Sequence, residues 1–488
     1  MQKVVVIGSG FAGLAAACCL AKAGCSVVVL EKNEQLGGRA RVWAQDGFTF
    51  DMGPSWYWMP DVFEQFFAKF GKRASDYYTL TRLDPSYRIF FPGQEVVDVP
   101  AQMPDLLRLF ERLEPGSSHQ LRRFLEQATF KYRVGMSDYV SRPCLSPLEF
   151  LDARLIKESV RLQMVDSTRK HVSKHFRDPR IVQIMEFPVL FLGGTAREIP
   201  AMYSLMNYAD LVLGTWYPQG GMRQIAEAII ALATELGVSF YTSEPARQII
   251  VQSGRAVGVQ TNNAVYPAEV VVGAGDYHHI EQTLLEPSWR TYDALYWDSR
   301  VLSPSSLLFY LGINKRLKNL LHHNLFFDEG LDQHADEIYH DARWPQRPLF
   351  YACCPSQTDA SVAPLGMENL FLLMPVAPGL PDDEATRERY FDLMMTRVEA
   401  RIGERVRDAV VVKRSYAHKD FTHDYNSYKG NAYGLANLLE QTAFFKPRLQ
   451  AKKVRNLYFA GQLTVPGPGV PPSLISGQIV SEVILGKT

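Results

Sequence analysis

A single glycine pattern near the amino terminus limits the possible folds more than any other feature of the chain. Val4-Val5-Val6-Ile7 is an uninterrupted apolar run, the mark of a parallel strand buried on both faces. Gly8-Ser9-Gly10-Phe11-Ala12-Gly13 follows at once, and residues 11–23 are alanine-rich with helical character. Ser26-Val27-Val28-Val29-Leu30 is a second apolar run, which completes a βαβ unit within about thirty residues. Each glycine in such a unit has its own task. Gly8 permits a tight turn, Gly10 lets the backbone approach a pyrophosphate at the helix N-terminus, and Gly13 allows close packing of helix on strand. Glu31 ends the second strand, where a carboxylate can hold a ribose hydroxyl. The pattern predicts a dinucleotide-binding fold.

The same residues also have the outline of a secretion signal. Lys3 precedes an uncharged stretch from Val4 to Ala21, and Lys22-Ala23-Gly24-Cys25 brushes against a lipoprotein cleavage site. The three spaced glycines and the β-rich run directly after Cys25 favour the nucleotide fold. No other run reaches the ~18 to 20 apolar residues of a spanning helix, so an integral membrane protein is not expected. Lys plus Arg equals Asp plus Glu, at 52 each, which gives no reason to expect nucleic acid as a partner. The six cysteines include two adjacent pairs and no CxxC. They read as reduced packing residues in a cytoplasmic compartment, neither a disulfide framework nor a zinc site.

Further along, Val62, Phe63, Phe66, Phe67 and Phe70 share a helical face that Asp61 can cap and Gly71 can end. Ser146-Pro147-Leu148-Glu149 reads as a capping box. Helical spacing dominates from about 101 to 215. Strand character returns at 240–241, at 248–260 around a Gly254-Arg255 turn, and at 269–275. Ser306 to Leu311 and Leu370 to Leu373 are further strands. The nucleotide-fold segments are far apart, which predicts a discontinuous domain from 1–100, 220–300 and 420–488. A second domain then comes from 101–219 and 301–419.

Leu36-Gly37-Gly38-Arg39-Ala40 closely follows Glu31. Here the chain resembles the flavin amine oxidase and carotenoid desaturase superfamily, in which GGR follows the ribose carboxylate and its arginine lies near the FAD phosphates. Taken alone, Arg39 would read as an ordinary exposed arginine; in this context a guanidinium makes charge-assisted bonds to an anion. The strip Asn456 to Val470 is similar to the signature of bacterial-type phytoene dehydrogenases, a strand–glycine turn followed by T-x-P-G-x-G-V. Gly461, Thr464, Pro466, Gly467, Gly469 and Val470 match, whereas Gln462, Leu463 and Val465 depart from it. Gly47 to Ser55, Gly214 to Met222, Asn426 to Gly430 and Phe445-Lys446-Pro447 resemble other motifs of that family in the same order, and Trp56 to Pro60 is most similar to its Bacteroidetes type.

The resemblance implies an α/β fold with a Rossmann-like FAD-binding domain and an inserted α+β substrate domain, part of it helical and membrane-facing. It implies FAD contacts from Gly8, Ser9, Gly10, Ala12, Gly13, Glu31, Lys32, Gly38, Arg39, Gly53, Pro54, Ala246, Gly461, Gly469 and Val470. It also implies an apolar tunnel for a long isoprenoid, most simply phytoene desaturated toward neurosporene or lycopene. The flavin would accept a hydride, an adjacent carbon would lose a proton, and a quinone or oxygen would take the electrons. No strong base stands out. Glu186 interrupts an apolar run and is more simply a structural carboxylate paired with an arginine, while Glu149 suits a cap. His171 and His175 are four apart without a third ligand, so no metal is expected. From Arg154 to Arg180, eight bases and three acids form a patch of net +5 that could dock on anionic lipid at the cytoplasmic face or be an ordinary solvated face. The rival readings are a later-acting carotenoid desaturase, a retinoid saturase, and a non-catalytic carrier of prenyl lipids.

Overall fold

A computed structural model describes every residue except 147, 148, 150–161, 165 and 488. The βαβ unit forms where the glycine pattern puts it: strand β1 (Lys3–Ile7), helix α1 (Phe11–Lys22) and strand β2 (Ser26–Leu30). The two strands anchor a five-stranded sheet that gathers remote pieces of chain. Its order is Leu457–Phe459, Val270–Gly273, β1, β2 and Ser239–Tyr241, every pairing parallel. Val4 to Ile7 are buried on both faces, as an unbroken apolar run requires.

The alanines of α1 have a packing reason. The helix Val470–Ile484 crosses α1 so closely that a Cβ at Gly477 would lie 2.1 Å from the Ala12 carbonyl oxygen and 2.9 Å from the Ala15 Cβ. Only small residues on both helices allow that approach. It brings the N-terminal ends of both helices to one edge of the parallel sheet, beyond the carboxyl end of β1.

A second, seven-stranded sheet runs Val410–Tyr416, Ser305–Ile313, Glu368–Val376, Phe350–Cys353, His323–Phe326, Tyr87–Phe90, Val96–Val99. Its pairings are antiparallel except that of His323–Phe326 with Tyr87–Phe90. The strands expected near 306–311 and 370–373 pair here, with Leu311 opposite Leu370. Residues 87–99, grouped by sequence with the first 100 residues, contribute two strands to this second sheet. Their apolar alternation specifies a strand but not its partner. Asp61 is not the cap of its helix. That helix runs Pro60–Ala68 with Pro60 at its first position, and Asp61 accepts the Tyr132 hydroxyl at 2.8 Å. Among the described residues no helix is long and apolar enough to cross a membrane.

Candidate functional site

One cavity of about 420 Å³ runs from the glycine loop of the parallel sheet to the face of the seven-stranded sheet. Its polar end is built by backbone geometry. Gly8 holds φ +101°, and a Cβ there would press on Ala274 and Gly275 at 3.0–3.2 Å. A Cβ at Gly13 would lie 2.1 Å from the Gly8 carbonyl oxygen, so helix and loop meet without room for a side chain. A Cβ at Gly10 would meet no atom within 4 Å. Gly10 therefore clears an approach to the N-terminus of α1, where the unpaired N–H groups and the helix dipole favour an anion. Gly38 and Gly53 are also forced, since a Cβ would come 2.9 Å from the Gly10 Cα and 2.3 Å from the Arg39 carbonyl oxygen.

Glu31 is held in one orientation. Its Oε2 accepts the Ser9 N–H at 3.1 Å and the Ser9 hydroxyl at 2.6 Å, while Oε1 accepts the Asn33 N–H and side-chain amide at 2.9 and 3.1 Å. Arg39 donates through Nη2 to Ser427 Oγ at 2.6 Å and lies over the Tyr425 ring at 5.0 Å. Its Nε is buried with no partner, and so is the Tyr425 hydroxyl. Burial lowers the Arg39 pKa from its ordinary value. Asp276, in the same wall, is pushed up to about 6 by burial, with N–H donors from His279 and Tyr428 opposing the shift. Lys32 donates to Asn426 Oδ1 at 3.2 Å.

These features fit a dinucleotide: an oriented carboxylate for a ribose, an open path to a helix N-terminus for a pyrophosphate, and a buried guanidinium with an unused donor for its charge. Of the residues expected at the cofactor, Gly8, Ser9, Gly10, Ala12, Glu31, Lys32, Gly38, Arg39, Gly53, Pro54, Ala246, Gly461, Gly469 and Val470 all line this cavity. Gly13 does not; it packs behind the loop. Sequence reasoning missed Asn33, Asp276 and Tyr425. Asp276 had a usable signal, since it directly follows the strand running into Gly273-Ala274-Gly275.

The far half of the cavity is apolar, with Trp56, Phe187, Leu308, Leu325, Phe327 and Phe350 in its wall. Neither carboxylate considered as a base reaches it. Glu149 caps its own turn, accepting the N–H groups of Cys144, Leu145 and Ser146 at 3.0, 2.6 and 2.9 Å. Glu186 is 1% exposed and forms a two-pronged pair with Arg169, both contacts at 2.6 Å. His171 stacks on Phe124 at 4.9 Å, and burial pushes it down to about 3.

Four of the described bases of the basic patch are ion-paired. Arg169 binds Glu186 and Asp332, Lys170 and Lys174 share Asp166, and Arg180 binds Asp178 and Glu95. Arg154, Lys157 and Arg161, with Leu151, Leu155 and Val165, lie outside the described residues.

Comparison with known proteins bears on the cradle directly. The family model for flavin containing amine oxidoreductase matches residues 11–485. The chain belongs to the flavin-containing amine oxidoreductase family. It is accordingly an FAD-dependent oxidoreductase, and the cradle described above has the features an FAD dinucleotide requires. The oxidoreductase is 41% identical to a carotenoid 3,4-desaturase from Haloarcula japonica, over 99% of this chain and 98% of that protein. It is 34% identical to a zeta-carotene-forming phytoene desaturase from Myxococcus xanthus, over 99% and 94% of the two chains. Among solved structures, an oxidoreductase from Methanosarcina mazei shares the fold at a TM-score of 0.64 and 17% identity, covering 99% of this chain and all of the other.

Proposed function

We propose that the oxidoreductase desaturates an acyclic carotenoid. A CH–CH bond of a long, uncharged chain would lose a hydride and a proton and become a C=C bond. The observation that carries this reading is continuity: the cavity that begins at the FAD cradle continues between apolar and aromatic walls suited to a hydrocarbon. FAD, when bound, supplies the two-electron acceptor. The chain's own task is to align the substrate, which fits an apolar end whose wall has no free carboxylate among the described residues. A proton beside a cation delocalised over a polyene is acidic enough for a weak base to take.

Phytoene, desaturated toward neurosporene or lycopene, is one candidate substrate. A later-acting desaturation of an already conjugated carotenoid is the second, and the full-length likeness to a carotenoid 3,4-desaturase favours it. Expression in bacterial hosts that accumulate phytoene, neurosporene or hydroxylated carotenoids separates them. New, more conjugated pigment in the first host supports phytoene; pigment change only in the others supports the later step. No change in any host, with soluble yellow protein present, refutes desaturation.

Such a substrate is insoluble, so we further propose a peripheral protein on the cytoplasmic membrane face that passes electrons to a quinone or to oxygen. Of the described bases of the patch, Arg169, Lys170, Lys174 and Arg180 are ion-paired, whereas Leu145, Leu439 and Phe445 are 43%, 47% and 52% exposed. Attachment is therefore apolar in this reading, and liposome co-sedimentation should resist high salt. Release by salt would refute it.

A further inference from the structure

A buried polar cluster that the proposed reaction does not use lies behind the apolar half of the cavity. His322 precedes the strand His323–Phe326, and Cys353 ends the antiparallel neighbour Phe350–Cys353, directly opposite His323. All three side chains are buried. One ring nitrogen of each imidazole and the thiol sulfur lie within 4.8 Å of one another.

The spacing is that of donors around one ion. Cys353 Sγ is 3.8 Å from His323 Nδ1. A sulfur and a nitrogen bound to one zinc at roughly 2.3 and 2.0–2.1 Å, about 120° apart, are separated by ~3.8 Å. His322 is arranged in the complementary way. Its Nδ1 engages Thr358 Oγ1 at 2.9 Å, and its Nε2 is buried without a partner. A ring fixed through one nitrogen by a neighbouring group, with the other nitrogen free, is the usual preparation of a metal-binding histidine. The Tyr351 hydroxyl engages the same His323 Nδ1 at 2.5 Å, while His323 Nε2 is buried without a partner, so a metal bound through Nδ1 would displace that hydroxyl.

Space and charge agree with this. A void of about 20 Å³ is lined by His322 and Cys353 together with Asp51, Tyr217 and Asn369, and His323 lies just outside that lining, stacked T-shaped on His322. It holds one small ion or one water and nothing larger. A deprotonated Cys353 would supply one negative charge at the cluster, with Asp51, whose oxygens accept the N–H groups of Met222 and Arg223, a second in the wall of the void. Two imidazoles and a sulfur select a soft or borderline cation over magnesium or calcium.

We propose that His322, His323 and Cys353 form a binding site for a thiophilic closed-shell cation of the Zn²⁺ type. Its role is structural. The His323 ring stacks on Trp56 at 4.0 Å and 8°, and Trp56 is part of the cavity wall. Fixing His323 fixes the wall against which a substrate would lie.

The test uses the flavin-loaded full chain, incubated with Zn²⁺, desalted and analysed for metal. One equivalent of zinc should remain on the wild type and be lost from Cys353→Ala. Incubation with Co²⁺ should add a thiolate-to-cobalt charge-transfer band to the wild-type spectrum. If Cys353→Ala fails to fold, the wild-type cobalt difference spectrum decides. Folded, flavin-loaded wild type that retains no zinc and shows no such band would overturn the proposal and leave the void to a water molecule.

Discussion

Replacing Glu31 tests the FAD cradle at its most constrained atom pair. Both carboxylate oxygens already accept two donors each, from Ser9 and Asn33. A carboxylate offers about four acceptor sites, so a ribose hydroxyl must take the place of a side-chain donor, Ser9 Oγ or Asn33 Nδ2. In Glu31→Ala the ribose loses a charge-assisted partner, which costs ~1.5–3 kcal/mol and weakens FAD binding roughly 10- to 150-fold. Glu31→Gln keeps the shape but turns an NH₂ group toward either the Ser9 pair or the Asn33 pair, so donor faces donor. The usual conservative substitution should therefore be nearly as damaging as alanine here. Apoprotein titrated with FAD and followed by flavin fluorescence gives the Kd, and a thermal melt confirms folding. If Glu31→Gln bound FAD within threefold of the wild type, the orientation argument would be wrong.

Two glycines of one loop should separate binding from folding. Gly10→Val should leave the apoprotein's melting temperature close to wild type while abolishing FAD retention, because its side chain meets only the approach to the helix N-terminus; Gly13→Ala should lower that melting temperature, at the upper end of the ~1–3 kcal/mol typical of overpacking, because its Cβ strikes a backbone oxygen. Arg169→Leu should destabilise by about 3–5 kcal/mol in urea unfolding, since it strands the buried Glu186 carboxylate, and Arg169→Leu with Glu186→Leu should recover most of that; equal loss in single and double variants would contradict a paired, structural Glu186.

Much of the cradle was legible because glycine's signals are local. Gly13 answers to the Gly8 carbonyl oxygen five residues away, and Gly8 to a turn with φ +101°, so spacing alone conveys their task. Features that depend on which strand pairs with which were not legible. Residues 87–99 alternate like any amphipathic strand, and nothing in them names the sheet they join. The partners of Arg169 and Arg180 were not legible either, because Asp332 and Glu95 come from remote elements. His322, His323 and Cys353 have no ligand spacing in sequence and meet only through strand register.

The closure of the sheet by Leu457–Phe459 and of α1 by the helix Val470–Ile484 sets the order in which a nascent chain can mature. The residues that begin the cradle are translated long before those that complete it, so the βαβ unit must wait for much of the chain, and the strand Val270–Gly273 lacks its outer partner until Leu457–Phe459 is made. FAD would then bind stably only to chains translated through the last helix. Flavin content thus reports synthesis through the helix Val470–Ile484, and chaperone demand should be greatest for chains stalled before residue 457.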